Sequence, residues 1–184
     1  MFWSKELEII LKRLEQVKME EEINNFVMNE LWNIVSSKDS SDKKLNLIVE
    51  TISKFFGIDK CSLMVEKDGK FKIIASVGIN RKVIDIAEVE AGKGIAGMAV
   101  KEKKAIFIRK VNIVGHQELW NEYKTDNFIS YPIESNGKII GVLNLTDKRD
   151  SRGFSERDVE AIAPIIERVR FVLEQCIGEN KCFI

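Results

Sequence analysis

Hydrophobic positions near the start of the chain recur at Leu7, Ile10, Leu14, Val17, Met28, Leu31 and Val35. Their three-and-four spacing is that of a heptad seam, and it predicts one long helix over residues 1–36. The seam fails at Glu21 and Asn24, where a second stripe begins through Ile23, Val27, Glu30 and Ile34. That change of phase predicts that one half of the helix packs on a partner helix and the other half on the body of the domain. The alternative is an ordinary amphipathic helix folded wholly onto its own domain. A polar run, SSKDSSDKK at 36–44, reads as a linker. Ser41 or Asp42 then caps a helix over 43–56, which Gly57 closes in the usual position after the last turn.

Beyond Gly57 the hydrophobic period changes from helical to two. Strands are predicted at 60–66 and 71–77 around a Lys67-Asp68-Gly69 turn. Residues 81–90 read as a short helix, 94–103 as a helix and 105–109 as a third strand. Residues 111–127 show no clear period. A second hairpin follows, 128–134 and 138–146, around Asn136-Gly137, a strong signal for a type I′ turn. The last helix covers 155–176, with Ser155 as N-cap, Asp158 three residues on, and an apolar stripe of Val159, Ile162, Ile166, Val169 and Leu173. Pro164 lies inside it and is expected to kink it or leave one carbonyl unpaired.

This order predicts an α+β fold. About five strands form a mostly antiparallel sheet, flanking helices cover one face, and short helices with the long loop cover a pocket on the other. The expected division is a helix and linker at 1–40, a main domain at 41–176 and a tail at 177–184.

Composition narrows the chemistry. The 184 residues are 45% hydrophobic and 32% charged, with 29 basic residues against 29 acidic ones. Zero net charge removes the general attraction to phosphate backbones, so neither nucleic acid nor an anionic membrane is an expected partner. No apolar run approaches the ~20 residues that span a bilayer, and charges interrupt the first 16 residues where a signal peptide would need an apolar core. Three widely spaced cysteines, Cys61, Cys176 and Cys182, fit a reducing cytoplasm better than a disulfide framework. Cys61 reads as a small buried hydrophobe and Cys182 as an exposed tail residue. The single His116 leaves little material for a His-rich metal site, and no catalytic set stands out.

Gly92-Lys93-Gly94-Ile95-Ala96-Gly97 has the spacing of a dinucleotide fingerprint, but the charged residues before it are not the buried strand that a βαβ site requires. The same glycines open a short helix, and they are followed in order by Ser130-Tyr131-Pro132-Ile133, by Ile140-Gly141-Val142-Leu143-Asn144-Leu145, and by Asp147-Lys148, Phe154 and Asp158. This ordered set resembles the GAF domain, a sensory module of bacterial signalling proteins and cyclic-nucleotide phosphodiesterases. The resemblance covers about residues 45–175.

It implies a ligand held between the sheet and its cover, near Ser62, Ser76, Val77, Ile95, Ala96 and Asn144. Ser62 and Asn144 also stand out unaided, as polar residues inside apolar strands; each needs a partner, whether a ligand, nearby backbone or buried water. The amides opening the helix at Gly94 would suit a carboxylate or phosphate. His116, Trp120 and Tyr123 would share a face if their stretch is helical, and that face would line or plug the pocket. Cyclic-nucleotide binders of the family carry an aromatic, an Asp and a Glu where this chain has Ser76, Val77 and Asn144. They also carry Asn-Lys and Asp-Glu where it has Asp147-Lys148 and Asp158-Val159. Haem would have to use His116, and no cysteine is placed for bilin attachment. Lys148 and Asp158 are expected to pair as an exposed structural salt bridge, worth about 0–1 kcal/mol.

The functional expectation is a non-enzymatic, cytoplasmic sensory module. It binds an unknown small molecule, needs no identified cofactor or metal, and signals through its N- and C-terminal helices in a homodimer. A structural docking module with a self-filled pocket is the second reading. A free methionine sulfoxide reductase is the third.

Overall fold

The computed structural model describes residues 2–108, 127–150 and 152–182, with side chains from residue 5 onward. Helix α1 (Phe2–Asn25), one π-helical segment (Phe26–Leu31) and α2 (Trp32–Ser36) follow each other without a break. Ile23, Phe26, Val27, Leu31 and Val35 are buried on the domain. Steps of four residues drift around a helix of 3.6 residues per turn. The wider i→i+5 turn absorbs that drift and keeps these side chains on one face. N-terminal to them, Leu7, Ile10, Leu14 and Val17 are 54–61% exposed. The phase change therefore lies where the seam breaks, but its composition differs from expectation. Leu31 and Val35 join the domain-facing set, Glu30 is exposed, and Met28 remains outside.

Helix α3 (Ser41–Phe56) starts two residues earlier than expected and ends at a left-handed Gly57. Buried Lys44 donates from Nζ to the Val35 carbonyl at 2.8 Å, tying α3 to the end of α2. The ammonium there also faces the negative end of the α2 dipole.

The sheet comprises β1 (Ile58–Lys67), β2 (Lys70–Val77), β3 (Glu88–Val89), β4 (Ile106–Ile108), β5 (Phe128–Ser135) and β6 (Lys138–Lys148). Its order is β3-β2-β1-β6-β5-β4 and every pairing is antiparallel. Among the described residues six strands replace the expected five, because the 81–90 stretch is helical only as α4 (Arg81–Ile86) before extending into β3. Glu88 fixes that short strand by accepting from Lys70 and Lys72 of β2, each at 2.6 Å. Both hairpins turn on left-handed pairs, Asp68-Gly69 and Asn136-Gly137, as a type I′ turn demands.

Helices α3 and α6 (Glu156–Gly178) cover one face of the sheet. They bury Leu63, Val65, Ile129, Ile133, Leu143 and Leu145 in the main core. Gly141 permits that approach, since a Cβ there would lie 2.8 Å from Leu173 Cδ2 and 2.7 Å from the Met64 carbonyl oxygen. Helix α5 (Gly94–Glu102) packs on β5 and β6 and contributes Val100 to a smaller cluster with Met64, Phe71 and Val142. Among the described residues, no helix is long and apolar enough to cross a membrane.

Candidate functional site

Side chains alternate across a strand, so Ser62 and Met64 face away from Leu63 and Val65, as Val142 and Asn144 face away from Leu143 and Leu145. On this second face, strand pairing sets Ser76 opposite Ser62, Ser62 opposite Asn144, and Asn144 opposite Ser130. The result is a polar row across β2, β1, β6 and β5. Ser130 Oγ donates to Asn144 Oδ1 at 2.6 Å, and Asn144 Nδ2 donates to Ser62 Oγ at 3.3 Å. Ser62 and Ser130 are buried, while Asn144 and Ser76 are half-buried.

Two bulges create this alignment. Unbroken pairing from the Asn136-Gly137 turn would set Asn144 opposite Ile129, but Ile140 is an extra residue between Ile139 and Gly141 and shifts the register by one. Ile74 does the same on β2; without it Ser62 would face Ala75 rather than Ser76. Ser130 is thus a member of the row that sequence reasoning missed. Its polar character inside an apolar strand was a signal, but the bulge that aims it at Asn144 had none.

The remaining candidates divide. Val77 pairs with Cys61 and packs against the main core, so it is turned away from Ser76 and the row. Ala96 packs on the Met64–Val142 patch, the next pair along the row's own face. Ile95 is half-buried at the start of α5. His116, Trp120 and Tyr123 lie outside the described residues. Two clefts are lined mostly by other groups. One, of about 540 Å³, runs between β2 and α4 and includes Ser76, Arg81, Asp85 and Glu88. The other, of about 310 Å³, lies between the start of α3 and the end of the chain. Neither includes Ser62 or Asn144.

The glycine-rich stretch serves packing. A Cβ on Gly97 would stand 2.3 Å from the Glu90 carbonyl oxygen, and Gly92 N–H donates to the Gly97 carbonyl at 2.7 Å. These contacts fold the residues before α5 tightly against its first turn. The Lys93 side chain at its N-cap makes no capping hydrogen bond.

Lys148 and Asp158 do pair, at 2.7 Å, but the pair is not exposed: the two side chains are 16% and 12% accessible. Asp158 also accepts from the backbone N–H and the hydroxyl of Ser155, at 2.7 and 2.8 Å, and Lys148 Nζ lies 5.4 Å from the centre of the buried Phe154 ring. One carboxylate thereby caps α6 and clamps it to β6. Next to it, Asp147 adopts a left-handed backbone and pairs with Lys60 at 3.3 Å.

All three cysteines are buried. Cys61 faces the main core, opposite the polar row, and burial pushes its thiol up to about 12. Cys182, expected to be exposed, is buried with Cys176 instead. Among the described residues, no three His, Cys, Asp or Glu side chains come together as a metal site.

The fold has many solved counterparts. The GAF domain of a phosphoenolpyruvate-protein phosphotransferase from Coxiella burnetii superposes with a TM-score of 0.72 at 18% identity, covering 88% of this chain and 96% of that one. A GAF domain from A. Aeolicus nlh2, in an inactive state, gives 0.70 at 16% identity, covering 85% and 98%. A free methionine-R-sulfoxide reductase from Neisseria meningitidis, in complex with its substrate, gives 0.69 at 14% identity, covering 88% and 91%. At such identities these likenesses speak to fold. A comparison with curated proteins finds no match. The sequence pattern of the GAF domain matches residues 41–170, which is most of the chain. The chain therefore belongs to the GAF domain family.

Proposed function

We propose that the chain is a non-catalytic sensory module that binds a small molecule over the row of Ser76, Ser62, Asn144 and Ser130. It works as a homodimer through its terminal helices. The observation that supports the binding half is the row itself. A face that needed only filling would carry apolar side chains, because buried polar groups cost free energy unless bonded. Here two bulges bring four polar side chains into line. An amide has two donors and a hydroxyl one. Among the described residues, the second Asn144 N–H and the Ser62 hydroxyl proton make no hydrogen bond within the row, so they are available to a ligand carrying carbonyl or carboxylate oxygens. The dimer half rests on the exposed seam of Leu7, Ile10, Leu14 and Val17.

A docking module with a self-filled pocket is the second reading, and the bonds of Asn144 to Ser62 and Ser130 favour it, since they already satisfy much of the row. Native mass spectrometry of protein purified from its own source separates the two. A retained small mass supports the sensor, and a clean apo mass supports the docking module. Several structural neighbours are reductases, which raises a third reading. Cys61 is poorly suited to it, being protonated at neutral pH and placed on the opposite face of the sheet from the row. Cyclic-nucleotide binding is disfavoured by Ser76, Val77 and Asn144, which offer neither an aromatic platform nor a carboxylate.

A further inference from the structure

Strand β2 is paired along one side and only at its start on the other. β1 accompanies it from Lys70 to Val77, around the bulge at Ile74, whereas β3 reaches only Phe71 and Lys72. Among the described residues, no backbone group bonds to the outer side of Ile73, Ile74, Ala75, Ser76 or Val77. Alternate residues of a strand turn their N–H and C=O groups to the same side, so this run presents a ladder left unmade. Charges, prolines, bulges or a covering element normally blunt such an edge. The run carries neither charge nor proline, and the bulge is its one interruption. α4 begins soon after β2 ends and stops just before Glu88, the partner of Lys72, so it runs back alongside the edge. It covers little, for it buries no residue, and Ile86 at its end is 78% exposed.

The cleft of about 540 Å³ follows this open edge from Lys72 to Ser76. Asn46 of α3 and Cys182 wall it on the side of the covering helices, where Ile74 meets the main core. Arg81 and Asp85 of α4 form the opposite wall. Their charges are 3.8 Å apart, with the side chains 90% and 62% accessible, a long solvated pair that leaves both open to another partner. One helical turn separates them by about 6 Å along the axis. Two residues of an extended strand span about 6.6 Å, and side chains two apart share a face. A strand added antiparallel to β2 runs from the Val77 end, so it meets Arg81 first and Asp85 second. An acidic residue therefore fits the first position and a basic residue, two places on, the second. The residue between them points to the other wall, toward Ile74.

We propose that the open edge of β2 accepts an extended segment of a partner protein as an added strand. The backbone ladder holds the segment, and an acidic–apolar–basic triplet is read by Arg81, the Ile74 wall and Asp85. Antiparallel addition continues the pairing of the whole sheet. The site does not depend on a ligand over the polar row, with which it shares only Ser76.

The test uses the full nitrogen-15-labelled chain and the probe peptide acetyl-Thr-Val-Glu-Val-Lys-Val-Thr-amide at up to about 1 mM. Amides between Ile73 and Val77 that exchange freely in the free protein should exchange at least about tenfold more slowly with the peptide bound. The amides of Ser62, Ser130 and Asn144 should keep their exchange rates. The same peptide methylated along its backbone nitrogens should not bind, because the ladder cannot form. Interchanging Glu and Lys in the peptide should weaken binding by at least about threefold, the scale of two exposed ion pairs. The double variant Arg81→Asp with Asp85→Arg should reverse that preference. Absence of protection, indifference to backbone methylation, or a charge preference that the double variant leaves unreversed would overturn the proposal. So would amides already protected in the free chain, whether by a second copy, seen as protection rising with protein concentration, or by the chain itself.

Discussion

Asn144 holds two hydroxyls at once, accepting from Ser130 and donating to Ser62. Asn144→Ala leaves both without their partner in a mostly buried row, and leaving such groups unsatisfied costs about 1–3 kcal/mol. Chemical denaturation should show that loss, and an unchanged midpoint would mean water satisfies the row as well as Asn144 does. Glu88 provides a pH-dependent counterpart at the sheet edge. Hydrogen bonds from Lys70 and then Lys72 pull its carboxyl from 4.5 to about 2. A depressed carboxylate stabilises the folded state above its ordinary value, and that contribution disappears as pH falls through the folded value. A carbon-13 titration of the Glu88 carboxyl should therefore find its midpoint near 2, and a midpoint near 4.5 would show that Lys70 and Lys72 do not hold it. Single residues also mark the limit of sequence reading. Ser62 and Asn144 were legible because a polar group in an apolar strand is conspicuous. The place of Ser130 in the row and the face taken by Val77 are not legible in the same way, because one extra residue in each hairpin decides which face is which.

At the scale of elements, hydrophobic period and turn chemistry carried most of the fold. The Asn136-Gly137 hairpin, the left-handed Gly57 and the Ser155–Asp158 cap all follow from local rules. Strand β3 did not, because two residues joined by backbone pairing and two lysines leave no periodic signal. The exposure of the Lys148–Asp158 pair was misjudged for a related reason. Its burial depends on how α6 docks beside Phe154, a tertiary fact. Within α6, Pro164 sits on the solvent side of an otherwise continuous helix. A proline there lacks the N–H that would bond four residues back, and it is about 3 kcal/mol less favourable than alanine in a helix interior. Pro164→Ala should raise stability by about 1–3 kcal/mol in denaturant titrations. No gain would mean that the helix has relaxed around the proline.

The whole molecule divides its two helical ends unequally. From Ile23 onward the N-terminal helix is anchored to the core, and before it Leu7, Ile10, Leu14 and Val17 stand in solvent. Apolar residues in a heptad seam find their stable place against another helix. The π-helical segment, Phe26–Leu31, lies within the anchored part, and α1 runs on from it without a break to the seam, so a shift in domain packing would alter the angle at which the seam is presented. Leu14→Asp removes seam contact without touching the core, and it should weaken self-association by more than about tenfold, or 1.4 kcal/mol. The most direct measurement is sedimentation velocity of the full chain at micromolar concentration. The account predicts the mass of two chains, falling to one for Leu14→Asp with an unchanged circular dichroism spectrum. A single-chain mass for the unsubstituted protein would contradict it.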